Sequence, residues 1–174
     1  MIILGIDPGI ATVGFGVIDY CNTKFRFYDC GIVETAAGER VESRLNQVYD
    51  GICELIEQYH PNAVAVEELF FNSNQKTAVN VAQARGVILL ASEKHGVPLF
   101  EYTPLQVKTA VVGYGRAEKH QVMEMTKLIL SLPEIPKPDD AADALAIAIC
   151  HAHCGMSKLS EYESINTARR TGGK

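Results

Sequence analysis

Ile2-Ile3-Leu4-Gly5-Ile6-Asp7-Pro8-Gly9 is the stretch whose reading decides the fold. Residues 2–7 read as a buried strand that halts at the turn signal Asp7-Pro8-Gly9. Residues 13–20 and 24–33 read as two further strands, forming a meander with the first. Residues 41–59 carry Leu45, Val48, Ile52, Leu55 and Ile56 at helical spacing, which predicts an amphipathic helix broken at His60-Pro61-Asn62. Residues 63–67 form a short apolar strand, 77–94 a second long helix and 97–102 a fifth strand. Helices are then expected over 104–112, 118–130 and 138–154, the last closed by Gly155. Three strands, helix, strand, helix, strand and terminal helices describe an α/β fold, a layered sheet with helices on both faces. Without a repeat or a linker, the chain reads as one domain over 1–154 and a polar, mobile tail over 155–174.

Composition narrows the function. A chain of 174 residues with 47% apolar residues suffices for one core. No apolar run is long enough to cross a bilayer, and Met1-Ile2-Ile3-Leu4 lacks the charged start of a signal sequence. Five scattered cysteines (Cys21, Cys30, Cys53, Cys150 and Cys154) then read as reduced thiols, which agrees with a cytoplasmic address. The net charge of -5 is unevenly spread. Residues 1–71 hold 4 basic and 11 acidic side chains, residues 72–127 hold 7 and 4, and residues 128–174 hold 5 and 6. The basic middle leaves room for a nucleic-acid surface.

The chemistry lies in the carboxylates. Period-two alternation puts Ile3, Gly5 and Asp7 on one face of the first strand and Ala63, Ala65 and Glu67 on one face of the fourth. If the two strands pair in parallel, Asp7 and Glu67 stand side by side at the carboxyl end of the sheet, where open α/β sheets gather their active sites. The last helix begins with Asp139, Asp140 and Asp143. Both the i,i+3 and the i,i+4 pair share a face, so spacing does not choose between Asp139 and Asp140. Ala141, Ala142, Ala144, Ala146 and Ala148 make this helix slim enough to lie close to the sheet. A turn and a helix cap would account for the aspartates singly. Glu67 resists that account: it ends a buried strand with no basic residue in the ten positions before it or the eight after. Clustered carboxylates repel one another, and oxygen-only ligands suit Mg²⁺ or Mn²⁺ rather than zinc. A two-metal site satisfies all of this.

Four collinear blocks carry a family resemblance. They are Gly5-Ile6-Asp7-Pro8-Gly9 with Gly14-Phe15-Gly16-Val17-Ile18; Val66-Glu67-Glu68-Leu69-Phe70 with Gln83-Ala84-Arg85-Gly86; the stretch from Val107-Lys108 through Gly113-Tyr114-Gly115-Arg116-Ala117-Glu118-Lys119; and Asp140-Ala141-Ala142-Asp143-Ala144-Leu145. Together they resemble the RuvC resolvases and span residues 2 to about 153. Ile10-Ala11 replaces a more polar pair, and Asn72-Ser73-Asn74-Gln75-Lys76 differs in detail. The resemblance implies a ribonuclease-H-like fold with a mixed five-stranded sheet, and a nuclease that nicks two like strands of a four-way (Holliday) junction. It assigns the metal-binding carboxylates to Asp7, Glu67, Asp140 and Asp143, leaving Asp139 as a neighbour.

The implied reaction is in-line phosphodiester hydrolysis with two Mg²⁺ per site, Mn²⁺ serving as substitute: one activates the attacking water and one stabilises the leaving 3′ oxygen. Lys119 resembles the family's lysine beside the active site, there to stabilise charge on the scissile phosphate. Lys76, Lys108, Arg85 and Arg116 are further expected DNA contacts. Phe70 and Phe71 are candidates for stacking on opened bases, Phe70 foremost. Paired cuts need paired sites, so a homodimer is expected, with the helix over 77–94 (Ala78, Val81, Ala82, Val87 and Ala91) as its candidate interface. RuvA and RuvB, the branch-migration subunits, are the implied protein partners, with no membrane partner.

Cys150-His151-Ala152-His153-Cys154 suggests zinc at first sight, but only the two cysteines share a face and no second ligand pair lies upstream, so it reads as structural. Gly113-Tyr114-Gly115 lacks the context of a dinucleotide loop. Among rival functions, an actin-like phosphotransferase would need a second phosphate-binding domain. A nuclease of the same fold acting on RNA or other branched DNA, and a non-catalytic junction-binding module, are the remaining alternatives.

Overall fold

The computed structural model describes the backbone of residues 1–68 and 75–171, and side chains over 1–68 and 78–155. The elements run β1 (Ile2–Asp7), β2 (Thr12–Cys21), β3 (Lys24–Glu34), α1 (Val41–Tyr59), β4 (Ala63–Glu67), α2 (Gln75–Lys94), β5 (Leu99–Tyr102), α3 (Pro104–Val112), α4 (Lys119–Ile129) and α5 (Asp139–Thr171). The strands form one mixed sheet in the order β3-β2-β1-β4-β5, with β1–β2 and β2–β3 antiparallel and β1–β4 and β4–β5 parallel. This is the five-stranded sheet with helices on both faces that the element order implies.

Alternation along the strands sorts the core into two layers. Ile3, Ala63 and Ala65 face α3, α4 and α5, packing with Leu145, Ile149, Val107 and Val122. Leu4, Ile6 and Val64 face the other way, onto Val48, Ile52 and Ile56 of α1 and Ile88 of α2. Every one of these strand residues is fully buried. At roughly 25 cal/mol per Å² of apolar surface, such two-sided burial is what fixes the register of β1 and β4.

Three differences from the sequence reading bear on the site and the surface. β5 starts at Leu99 rather than at residue 97, because the Val97 amide closes the end of α2 on the Ser92 carbonyl (3.0 Å) and Pro98 has no amide to donate. α5 does not stop at Gly155 but stays helical to Thr171. Gly155 is a packing glycine here: a Cβ on it would stand 2.4 Å from Cε1 of the His151 ring, one turn earlier. Third, the residues expected to form a dimer face on α2 are partly inside, since Ala91 is buried and Val87 packs on the core. The outward stripe of that helix is Val79, Gln83, Gly86 and Leu90.

Candidate active site

The sheet delivers two carboxylates by register alone. Gly5 pairs with Ala65 and Ile6 with Val66, so the next step along both strands sets Asp7 beside Glu67. Both strands end there, at the carboxyl edge of the parallel pair. The turn after Asp7 is tied down. A Cβ on Gly9 would stand 2.2 Å from the Thr12 carbonyl oxygen. The Thr35 hydroxyl donates to the Ile10 carbonyl (2.6 Å) and accepts from Nε of Arg44 (2.8 Å).

The helix side arrives by close packing. α5 lies across β1 and β2, and where it crosses, the strands carry glycines. A Cβ on Gly5 would fall 2.1 Å from the Ala144 carbonyl oxygen, and one on Gly14 2.1 Å from that of Asp140. One on Gly16 would meet the Leu145 side chain at 2.7 Å. Gly5 and Gly16 are cross-strand partners, and so are Asp7 and Gly14. The three glycines therefore make a floor without side chains, and the alanines of α5 supply the complementary slim face. This floor sets the distance between helix and strand carboxylates, so the glycines belong to the site as much as the acids do.

α3 and α4 close the third side. The Thr103 hydroxyl accepts from the Gln106 amide (3.2 Å), and Gln106 accepts from the Thr103 amide (2.8 Å), a capping box that starts α3 at Pro104. At the start of α4, Gln121 Oε1 accepts from the Glu118 amide (2.9 Å) and from the Tyr114 hydroxyl (3.0 Å), which seats Lys119 on the first turn. The resulting cleft, of about 290 Å³, is lined by Asp7, Glu67 and Asp143, by Lys108 and Lys119, and by apolar Pro104, Val107, Val122, Ala146 and Ile147. Asp140 is not part of this lining. It sits beside the cleft, above Gly14.

Electrostatics ties the four acids together. Burial, then Asp143, Glu67 and Asp140 in that order, push the Asp7 carboxyl up to about 7, against a smaller pull from Lys119. Glu67 is raised by burial and by Asp143, while Lys108 pulls it down. Asp143 is raised chiefly by burial, against the hydrogen bond and charge of Lys119. Lys119 bridges Asp143 (3.0 Å) and Asp139 (3.2 Å). Burial pulls its ammonium pKa down, but the two aspartates outweigh that and raise it.

The cleft therefore has a deficit of positive charge that two lysines do not make good. Its donors are hard carboxylate oxygens, the set that divalent Mg²⁺ takes. Among the described residues, no three acidic, histidine or cysteine side chains are drawn together closely enough to hold a metal ion as they stand. As it stands, Asp143 is held by Lys119.

The other sequence candidates divide. Lys108 is half-buried in the cleft wall, and Arg116 is exposed on the turn before α4. Arg85, expected to contact DNA, forms an ion pair with Glu101 of β5. Phe70, Phe71 and the side chain of Lys76 lie outside the described residues. His151 is buried, with Nδ1 2.8 Å from the Tyr102 hydroxyl and its ring against Phe100, which agrees with a structural reading of the Cys150–Cys154 segment. Missing from the sequence reading were Thr35, Arg44, Tyr114 and Gln121, which act by bracing loops and leave no periodic trace. Asp139 was set aside there, yet it holds Lys119.

Known proteins carry the same pattern. Residues 3–151 match the family model described as "Crossover junction endodeoxyribonuclease RuvC". The chain is 56% identical over 174 residues to the protein of that name from Clostridioides difficile (strain 630), covering 100% of this chain and 99% of the relative. It is 59% identical over 152 residues to the one from Brevibacillus brevis (strain 47), with 87% and 92% covered. Among solved structures it is similar to "T. thermophilus RuvC in complex with Holliday junction substrate", with TM-score 0.86 and 39% identity over 91% of this chain and 97% of that one. A family match across nearly the whole domain, with identity above half to full-length relatives, leaves one conclusion: this chain belongs to the RuvC family of crossover junction endodeoxyribonucleases.

Proposed function

We propose that the protein resolves four-way DNA junctions by paired, symmetric phosphodiester hydrolysis, each cut made in the cleft of one subunit of a homodimer. The observation that carries this reading is the convergence, from three distant stretches, of Asp7, Glu67 and Asp143 in one cleft with Asp140 beside it, where burial and neighbouring acids raise the proton affinity of Asp7, Glu67 and Asp143. Asp7, Glu67, Asp140 and Asp143 are the residues that would hold two Mg²⁺ ions, or Mn²⁺ in their place. Such ions would supply Lewis-acid activation of a water and positive charge for the departing 3′ oxygen.

The chain's own groups do the rest. Lys119, on the first turn of α4, neutralises charge that builds on the scissile phosphate, and Lys108 of α3 holds the neighbouring backbone. The apolar wall of Val107, Val122, Ala146 and Ile147 keeps bulk water away and strengthens each of these interactions. Arg116, exposed beside α4, extends the phosphate-binding rim. Phe70 and Phe71, just beyond Glu67, stack on opened bases at the crossover, and Lys76 contacts phosphate beside them. The outward stripe of α2 (Val79, Gln83, Gly86 and Leu90) joins two subunits. Among the described residues no helix is long and apolar enough to cross a membrane, and the five free cysteines fit work in the cytoplasm alongside RuvA and RuvB.

The deciding experiment incubates the protein with a synthetic four-way junction, a linear duplex of the same sequence and an RNA–DNA hybrid, each with Mg²⁺ or with EDTA. The expected result is symmetric nicking of the junction alone, and only with Mg²⁺. Cleavage of the hybrid in preference would move the protein to RNA substrates, and binding without cleavage would make it a junction-binding module.

A further inference from the structure

Asp143 has two partners that cannot both be satisfied. It lines the cleft with Asp7 and Glu67, where a divalent cation would need its oxygens. It also accepts the Lys119 ammonium at 3.0 Å. A cation entering the cleft competes with that ammonium for one carboxylate and repels it across a few ångströms of half-buried space. Lys119 stands on the first turn of α4, where the positive end of the helix gives an ammonium no support.

Asp139 answers this conflict. It lies one helical turn before Asp143, so both carboxylates share a face of α5, and its oxygen reaches Lys119 at 3.2 Å. Its side chain is 61% exposed against 31% for Asp143, and it is absent from the cleft lining. It is an outer partner for the same lysine. We propose that Asp139 is a positioning residue, holding the Lys119 ammonium at the rim of the cleft when Asp143 turns from the lysine to a divalent cation. Lys119 then swings between an inner and an outer carboxylate without leaving the phosphate path. This rests on the metal-binding reading of the cleft given above.

The test is a double-mutant cycle read as Mg²⁺ affinity of the metal-free protein, measured by titration calorimetry without DNA. The four proteins are wild type, Asp139→Asn, Lys119→Met and the pair, at about 0.1 M salt, where charges more than about 10 Å apart are screened and a contact pair is not. Asp139→Asn should weaken Mg²⁺ binding about fivefold when Lys119 is present, within the coupling seen for side chains sharing a partner, and change it less than about twofold in the Lys119→Met background. Asp139→Glu, which keeps the outer carboxylate, should bind Mg²⁺ as wild type does. Equal weakening in both backgrounds would mean that Asp139 acts only through its field, and no weakening in either would mean that it does not hold the lysine. Either overturns the inference while leaving the metal site intact. Wild type that binds no Mg²⁺ overturns both. In single-turnover cleavage at saturating Mg²⁺, Asp139→Asn should slow the wild-type reaction and add nothing to the loss caused by Lys119→Met.

Discussion

The two halves of the acidic cleft are built on different principles. Asp7 and Glu67 end neighbouring strands, and the hydrogen-bond ladder sets their spacing. Asp140 and Asp143 ride on a helix laid over those strands, and their position depends on how near α5 can come to Gly5, Gly14 and Gly16. Asp7, Glu67 and Asp143 are all raised chiefly by burial. Among the described residues, only the helix half is engaged with a lysine, through Asp143. The difference teaches that the ladder aims the site, whereas packing sets how wide it is.

The sharpest way to break the strand half is Asp7→Asn, which keeps the shape and removes one charge. Cleavage of a four-way junction should fall by at least ~10³-fold, about 4 kcal/mol of barrier, with junction binding in EDTA retained. Gel-shift and single-turnover nicking on the same samples check both. Lost binding with undiminished cleavage per complex would show that Asp7 holds DNA rather than performs chemistry.

The helix half is broken without touching an acid. Gly5→Ala places a methyl group 2.1 Å from the Ala144 carbonyl, a backbone atom that cannot swing aside. Overpacking of this kind costs about 3 kcal/mol. Chemical denaturation should show that loss, and Mg²⁺-dependent cleavage should fall with it because α5 is lifted away from Asp7. A mutant with wild-type stability would mean that α5 does not depend on the glycine floor.

These halves were not equally legible in the sequence. A period of two is visible in Ile3-Gly5-Asp7 and Ala63-Ala65-Glu67, so residues alone put each carboxylate at a strand end, and only the parallel pairing was left as a condition, which the sheet meets. The helical period allowed Asp139 and Asp140 equally. Only family resemblance separated them, and even that hid the grip of Asp139 on Lys119, which depends on where α4 begins in space. The expected helix end at Gly155 shows the same limit: a glycine needed for packing against His151 reads like a glycine that stops a helix. Local periodicity reports what a chain does with its neighbours, and contacts between distant elements leave no period to read.

Acidity separates the halves again. With its carboxyl raised to about 7, Asp7 keeps its proton in the folded protein well above the pH at which the unfolded chain has released it. That stabilisation is complete below about pH 4 and is lost as pH rises through 7, leaving a buried charge. Metal-free wild type should therefore lose about 2 kcal/mol relative to Asp7→Asn between pH 5 and 8, a drop in Tm of roughly 4–8 °C. Added Mg²⁺ should reverse the trend, stabilising wild type more at pH 8 than at pH 6, because the cation binds the ionised form. A wild-type Tm that tracks the mutant at every pH would mean that the Asp7 carboxyl is solvated like any surface acid.

The smallest effect separates the cleft rim from the back of the sheet. Lys108 and Arg85 were both expected to contact DNA, but Lys108 lines the cleft, whereas Arg85 is paired with Glu101 behind it. The Glu101 carboxylate already neutralises Arg85 in part, so a phosphate gains less from this arginine than from Lys108. Lys108→Met should flatten the dependence of junction affinity on salt by about one unit of slope, as expected for one lost phosphate contact. Arg85→Gln should leave that slope unchanged and lower stability by about 1 kcal/mol, the upper end for an ion pair still partly reached by solvent. The two slopes, measured side by side in EDTA so that cleavage does not intervene, decide between the roles. A shallower slope for Arg85→Gln would mean that junction DNA draws the arginine away from Glu101, and the back of α2 would then have to be counted as part of the DNA path.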